Sequence, residues 1–194
     1  MSTTPPGHPD WDRLFETAAD QQGLFTTQQA AEAGYSSQLL AHYVQVRRAV
    51  RVRHGMYRLV HFPTGEQEEL VAAWLWSERV GILSHQTALA LHELSDALPA
   101  HVHLTLPSGW RRRRFRVPAG VVLHYADVPP EDHSWFGAVP ITNPGRTLND
   151  CAREGLSPDL LLQATQQALR RGLVTRAELH DVEVALEPFG GIAA

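Results

Sequence analysis

The sequence predicts an α+β protein in two parts, and three features carry the prediction. Two short helical patterns separated by a glycine lie near the N-terminus, and a period-two segment folds about His54-Gly55 directly after them. Beyond residue 62, helices precede and follow a small group of strands. The expected boundary is the break at Pro63-Thr64-Gly65. It divides residues 1–62 from an α+β domain of residues 63–194 with a small, mainly antiparallel sheet.

The first part is read element by element. Trp11, Leu14, Phe15 and Ala18 recur at helical spacing, so Asp10 to Gln21 is a first helix, which Gly23 ends. Thr26-Thr27-Gln28-Gln29 has the form of a capping box, with Thr26 as N-cap and Gln29 at N3, and opens a short helix through Ala33. Gly34 stands where a left-handed residue is needed to turn the chain, and Ser36 is the N-cap of a third helix running to about Arg48. Helix, glycine turn and helix make a helix-turn-helix. On the third helix Leu39, Leu40, Tyr43 and Val44 form a core-facing stripe, while Gln38, Ala41, His42, Gln45 and Arg48 lie opposite. Glutamine and arginine are suited to bidentate contact with adenine and guanine edges, and the small Ala41 permits close approach to a groove.

Val50 to Leu59 then alternates about a two-residue hairpin turn at His54-Gly55. That register pairs Val52 with Tyr57 and Val50 with Leu59 on an apolar face, and sets Arg51 opposite Arg58 on the other. Like charges directly opposed destabilise an isolated hairpin. A phosphate backbone relieves the repulsion, which makes the hairpin a wing. The first part is therefore expected to be a winged helix-turn-helix that meets double-stranded DNA through Ser36, Gln38, His42, Gln45, Arg47, Arg48, Arg51, Arg53 and Arg58.

Charge supports this by its distribution. The formal net charge is -4, but no acidic residue falls between Glu32 and Glu66, nor between Asp96 and Asp127. The second of these stretches holds Arg111, Arg112, Arg113, Arg114 and Arg116, which are expected to form a mobile loop between two strands and a possible second basic contact. All 17 basic residues are arginine. The absence of lysine excludes the P-loop, Schiff-base chemistry and nucleases built on an acid-x-lysine pair. The single cysteine, Cys151, allows no internal disulfide and fits a reducing cytoplasm. Met1 to Asp10 lacks the pattern of a signal peptide, and no apolar run is long enough for a membrane span.

The second part is read as helices at 66–79, 84–94, 143–153, 158–171 and 175–185, with strands at 101–106, 121–125 and 138–141. His101 and His103 share a strand face, and His85 and His92 a helix face. Such spacings occur in metal sites, but no cysteine accompanies them and there is no His-Glu-x-x-His, so neither metal nor cofactor is expected. Cys151 is read as a buried small hydrophobe beside Leu148 and Ala152, and Arg146 with Asp150 as a surface ion pair. No Asp-x-Asp is present for nucleotidyl transfer and no catalytic set emerges, so the chain is not expected to be an enzyme.

Several segments resemble a known family. Leu24 to Ala31 through Gly34 and Arg53-His54-Gly55-Met56-Tyr57-Arg58 resemble the N-terminal domain of AbiEi-type antitoxins. Ser84 to His92, His101 to Pro107 and Ile141 to Asp150 extend the resemblance over most of the chain. One departure stands out: many relatives carry glycine near Arg48-Ala49, and this chain has none there. The resemblance implies an antitoxin of a type IV, abortive-infection toxin–antitoxin system that limits phage spread. Such a protein represses its own operon through the winged helix. Its C-terminal domain counteracts a nucleotidyltransferase-like toxin without a stable complex. The alternative is a plain winged-helix transcriptional regulator whose second domain binds a ligand or partner.

Overall fold

The computed structural model describes residues 8–63, 65, 67–96 and 99–192; the start of the chain and Thr64 of the expected boundary lie outside them. Two compact units emerge, Met1–Arg79 and Val80–Ala194. The division falls later than the break at Pro63-Thr64-Gly65, because the helix that follows the break packs on a strand of the first unit.

In the first unit, α1 (Trp11–Ala19) starts at Asp10, whose carboxylate accepts from the Arg13 amide at 3.0 Å. Next come β1 (Leu24–Thr26), α2 (Thr27–Glu32), α3 (Ser37–Gln45), β2 (Ala49–Arg53), β3 (Met56–Leu59) and α4 (Glu68–Trp76). The expected capping box is formed. The Gln29 amide donates to Thr26 Oγ1 at 3.2 Å, and the Thr26 amide donates to Gln29 Oε1 at 2.9 Å. Gln29 is nearly buried, and its Nε2 donates to Gln21 Oε1, so the cap reaches back to the end of α1. After α2, Gly34 takes φ +84°, and the amides of Gly34 and Tyr35 return to the Ala31 and Ala30 carbonyls. This reversal satisfies the last carbonyls of α2 and aims α3 across it.

The three strands pair antiparallel in the order β1-β3-β2. Strand β1, not foreseen from the sequence, makes β3 the central strand. Leu14, Phe25, Ala30, Leu40 and Leu59 close the core between helices and sheet.

In the second unit, β4 (Ile82–Leu83), α5 (His85–Leu91), β5 (Val102–Leu106), β6 (Val121–Tyr125), β7 (His133–Phe136) and β8 (Val139–Thr142) lead to α6 (Pro144–Arg153), α7 (Pro158–Arg170) and α8 (His180–Leu186). The α+β class holds, and the sheet order is β6-β5-β4-β8-β7. Within it the β4–β5 and β7–β8 pairs are antiparallel, while β4–β8 and β5–β6 are parallel. The expectation of a mainly antiparallel sheet thus describes the first unit, and the second sheet is mixed. The helix expected over 175–185 starts as a 3-10 turn, Arg176–Glu178, capped by Thr175 and Glu178, before α8.

Leu89, Leu148, Leu161, Leu179 and Leu186 are buried together with Cys151, whose thiol is pushed up to about 12 by burial. Cys151 is therefore the apolar packing residue its helix position implied. Arg146 and Asp150 are not a surface pair. Their side chains are 15% and 7% exposed, and Arg146 bridges Asp150 and Asp132 at 2.9 Å each while Arg153 also reaches Asp150 at 2.7 Å. The contact to Asp132, in the segment before β7, draws α6 against the sheet and hides the pair.

At the end of α5 the neutral His92 donates from Nε2 to the Thr142 carbonyl at 2.7 Å, and Arg171 Nη1 donates to the His92 carbonyl at 2.9 Å. Burial, reinforced by Arg171, holds this imidazole below its ordinary pKa, outweighing the carbonyl that favours the protonated ring. The unfolded chain therefore takes up a proton below about pH 6.5 that the folded chain resists, so stability present above that pH falls as the solution is acidified. Replacing His92 with Gln, which keeps a donor for Thr142, should flatten the loss of stability between pH 7 and 5 by less than one proton. Denaturant melts across that range read this directly, and an unchanged slope would place the proton uptake elsewhere.

Candidate nucleic-acid interface

Helix α3 presents the face its sequence implied. Ser36 caps it by accepting from the Leu39 amide at 3.2 Å, and Leu40 is buried. Gln38, Ala41, His42, Gln45 and Arg48 are exposed together with Ser36. The helix is held from beneath by Tyr43, whose ring lies 5.7 Å from Trp11 and meets Tyr35 edge-on at 5.2 Å. Arg48 lies over the Tyr43 ring at 5.5 Å, which steadies its guanidinium at the edge of the exposed face.

The chain reverses between α3 and β2 without glycine. Arg47 takes φ +56°, its amide donates to the Val44 carbonyl at 3.1 Å, and the Arg48 amide donates to the Tyr43 carbonyl at 2.9 Å. This is a Schellman closure with arginine in the left-handed position. It supplies the turn that the absence of glycine near Arg48-Ala49 left open, and it leaves the Arg47 side chain exposed next to Arg48. A side chain in that conformation costs roughly 1–2 kcal/mol. Arg47→Gly should therefore raise stability by about 0.5–1 kcal/mol, part of the relief being lost to glycine's greater unfolded freedom, while weakening binding to duplex DNA. Parallel thermal melts and salt-titrated binding test the pair of effects, and a less stable variant would refute the strained turn.

The hairpin departs from its expected register. Arg53 faces Met56 across the His54-Gly55 turn, but a bulge between Arg51 and Arg53 shifts the remainder, so that Arg51 faces Tyr57, Val50 faces Arg58 and Ala49 faces Leu59. Arg51 and Arg58 are not opposed. The extra residue is Val52, which like Val50 is exposed and not part of an apolar pair. The turn itself is tied down, because the Thr27 amide donates to the Gly55 carbonyl at 2.9 Å.

The arginines consequently separate into two kinds. Arg51 and Arg53 are exposed on the edge strand β2, with the Arg51 guanidinium 2.9 Å from His54 Nδ1. Arg58, on the central strand, donates from Nη1 to Glu68 Oε2 at 2.9 Å, with the side chains 26% and 18% exposed. Its charge is already answered from within the unit, by an acid the sequence offers no reason to pair with it. Arg58→Ala is thus expected to cost roughly 1–2 kcal/mol of stability by leaving the Glu68 carboxylate without this donor. Arg51→Ala should leave stability within about 0.5 kcal/mol and reduce the salt dependence of DNA binding by about one unit. Binding isotherms at several salt concentrations, beside denaturant melts, distinguish them; the reverse pattern would restore Arg58 to the interface.

The second basic stretch connects two strands as expected, but it begins with a short helical turn. Parallel pairing of β5 with β6 demands a crossover, and this segment supplies it. It opens with a 3-10 helix, Ser108–Arg112, and Ser108 Oγ donates to Asp127 Oδ2 at 2.6 Å. Arg113 lies over the Trp110 ring at 4.0 Å, and Arg111 over Tyr125 at 5.6 Å. Arg112, Arg114 and Arg116 are exposed on the crossover.

Comparison with known proteins gives a family for the first unit. Residues 12–60 match the model of a family described as "Transcriptional regulator, AbiEi antitoxin", a stretch that is a quarter of the chain and runs from α1 through β3. Over these residues the chain is similar to AbiEi-type antitoxins. The family is one of transcriptional regulators, not a class of enzymes. The crystal structure of the RV2827C protein from Mycobacterium tuberculosis is similar over 93% of this chain and 77% of that one, at 14% identity and a TM-score of 0.46, a level at which neither fold nor function transfers. No curated protein matches at a significant level. Among the described residues no helix is long and apolar enough to cross a membrane. In the first unit, sequence reasoning missed strand β1 and the part played by Glu68: three residues are too few to show a period, and an ion pair ten residues apart has no local signature.

Proposed function

We propose that this chain is the cytoplasmic DNA-binding antitoxin of a type IV, abortive-infection toxin–antitoxin system. It represses its own operon through the winged helix and counteracts a nucleotidyltransferase-like toxin through its C-terminal unit, without a stable complex. The reading rests above all on one observation. A capped helix exposes Gln38, His42, Gln45 and Arg48, with Arg47, Arg51 and Arg53 alongside, in a stretch of sequence that contains no carboxylate between Glu32 and Glu66. Such a surface can approach a polyanion without desolvating a like charge. In this reading the glutamines contact base edges while the arginines fix position on the backbone.

A second reading, a plain regulator whose C-terminal unit binds a ligand, draws support from a cleft of about 400 Å³ in that unit, lined by His85, His124, Arg111 and Arg153.

The test is a division of labour in the full-length chain. Gln38→Ala and Gln45→Ala should relax base preference at particular operator positions, each costing roughly 1–3 kcal/mol against the best site, and should derepress the promoter while leaving rescue from the neighbouring toxin intact. Charge reversal at Arg112, Arg114 and Arg116 should impair rescue more than repression. Promoter activity and growth, measured side by side, decide between the readings. Equal loss of rescue in the helix variants would reduce antitoxicity to repression, and the absence of any adjacent nucleotidyltransferase-like gene would favour the plain regulator.

A further inference from the structure

In the second unit, three histidines from three elements converge where the sequence pairs did not. His101 and His92 take no part. His85 opens α5, His103 lies on β5 and His124 on β6, and Glu154 follows the last turn of α6. The His85 and His124 rings stack at 3.5 Å with 16° between planes, and His103 Nδ1 lies 3.0 Å from His124 Nε2. Glu154 faces the same pair of nitrogens, its oxygens 3.8 Å from His103 Nδ1 and 3.7 Å from His124 Nε2. One ligand atom each from His85, His124 and Glu154 lies within 4.8 Å of the others.

The carboxylate distances are too long for hydrogen bonds. They are close to the separation of adjacent ligands around a tetrahedral ion, which for metal–ligand bonds of about 2.0–2.1 Å is roughly 3.3 Å. We propose that His85, His124 and Glu154, with His103 hydrogen-bonded to His124 beside them, form a binding site for a divalent transition-metal ion of the zinc class, with imidazole nitrogens as the principal ligands.

Three further observations fit such a site. The His85 Nδ1 is engaged by Ser84 Oγ at 2.9 Å, and Ser84 Oγ by Thr105 Oγ1 at 2.7 Å. This leaves Nε2 for the ion and orients the ring, as the outer partners of metal-bound histidines do. His85 itself holds φ +51° at the head of its helix, a strained conformation of the kind that persists where surrounding structure enforces it, and such residues concentrate at functional sites. Asp150 Oδ2, on the same cleft, is buried and has no hydrogen-bond partner among the described residues, which leaves an acceptor for a metal-bound water. Two of the cations that line the cleft are paired with carboxylates, Arg146 with Asp132 and Asp150 and Arg153 with Asp150 and Asp181, while Arg111 lies over the Tyr125 ring. Imidazole donors with a single carboxylate select zinc and its neighbours over magnesium or calcium.

The experiment uses the full-length chain, stripped with chelator and titrated with Zn²⁺ by calorimetry, and with Co²⁺ as a visible-absorption probe. One equivalent should bind, raise Tm by several degrees in excess metal, and with Co²⁺ give the intense visible bands of a tetrahedral site. His124→Ala should weaken affinity at least tenfold and abolish those bands, while His180→Ala leaves both unchanged. Should His124→Ala fail to fold, Glu154→Gln carries the same test, since Glu154 is part-exposed and the substitution keeps its shape. Absence of zinc binding, binding that neither variant weakens, or stabilisation by inorganic phosphate and not by zinc would each overturn the site. All three outcomes are independent of whether the winged helix represses an operon.

Discussion

The candidate interface depends on the reversal at Arg47. The direction of the helix that faces outward and the position of the hairpin beside it are both set in two residues, by one left-handed conformation and two amide bonds back to Val44 and Tyr43. A looser connection would leave helix and hairpin as separate bodies, and their joint fit to a groove and its phosphates would carry a further entropic cost. The residue that holds this conformation is itself a cation. Conformational strain and interfacial charge therefore occupy one position, in the manner expected where local structure is not optimised for stability alone.

Much of the first unit was legible in the sequence because its signals are local. The capping box at Thr26 and Gln29, the glycine after α2 and the cap at Ser36 each lie within a few residues of the elements they shape. The helix faces followed from period alone. What was not legible is what depends on residues distant in sequence. Strand β1 acquires its identity only by pairing with β3, and Arg58 finds Glu68 only once α4 has docked. The bulge at Val52 was missed for a different reason. The alternation of valine and arginine fits a regular hairpin equally well, and the preference for the bulged register comes from the pinned turn and from Ala49 and Leu59 seeking the core.

The second unit was legible in composition but not in assembly. Its helices and longer strands were found by periodicity, whereas β4, with two residues, falls below any periodic signal. Strand direction at β5–β6 has no local signature: the arginine-rich connection reads as a loop in the sequence, and only the parallel pairing makes it a crossover. The histidines show the same limit. Spacing along the chain singled out His101 with His103 and His85 with His92, but side chains meet according to sheet order. The neighbours of His103 are accordingly His124, from the adjacent strand, and His85, from the helix above it.

The place of β2 in its sheet has one more consequence. It is the outer strand, exposed along most of its length, and Val50 and Val52 on it are branched residues well suited to pairing with another strand. Such an edge is a template for self-association. Here Arg51, Arg53 and the bulge at Val52 are the features that natural sheets use to turn a like strand away. The charges proposed to meet a polyanion are therefore also the ones that oppose pairing with a second copy of this strand, so one small set of side chains bears on both kinds of contact.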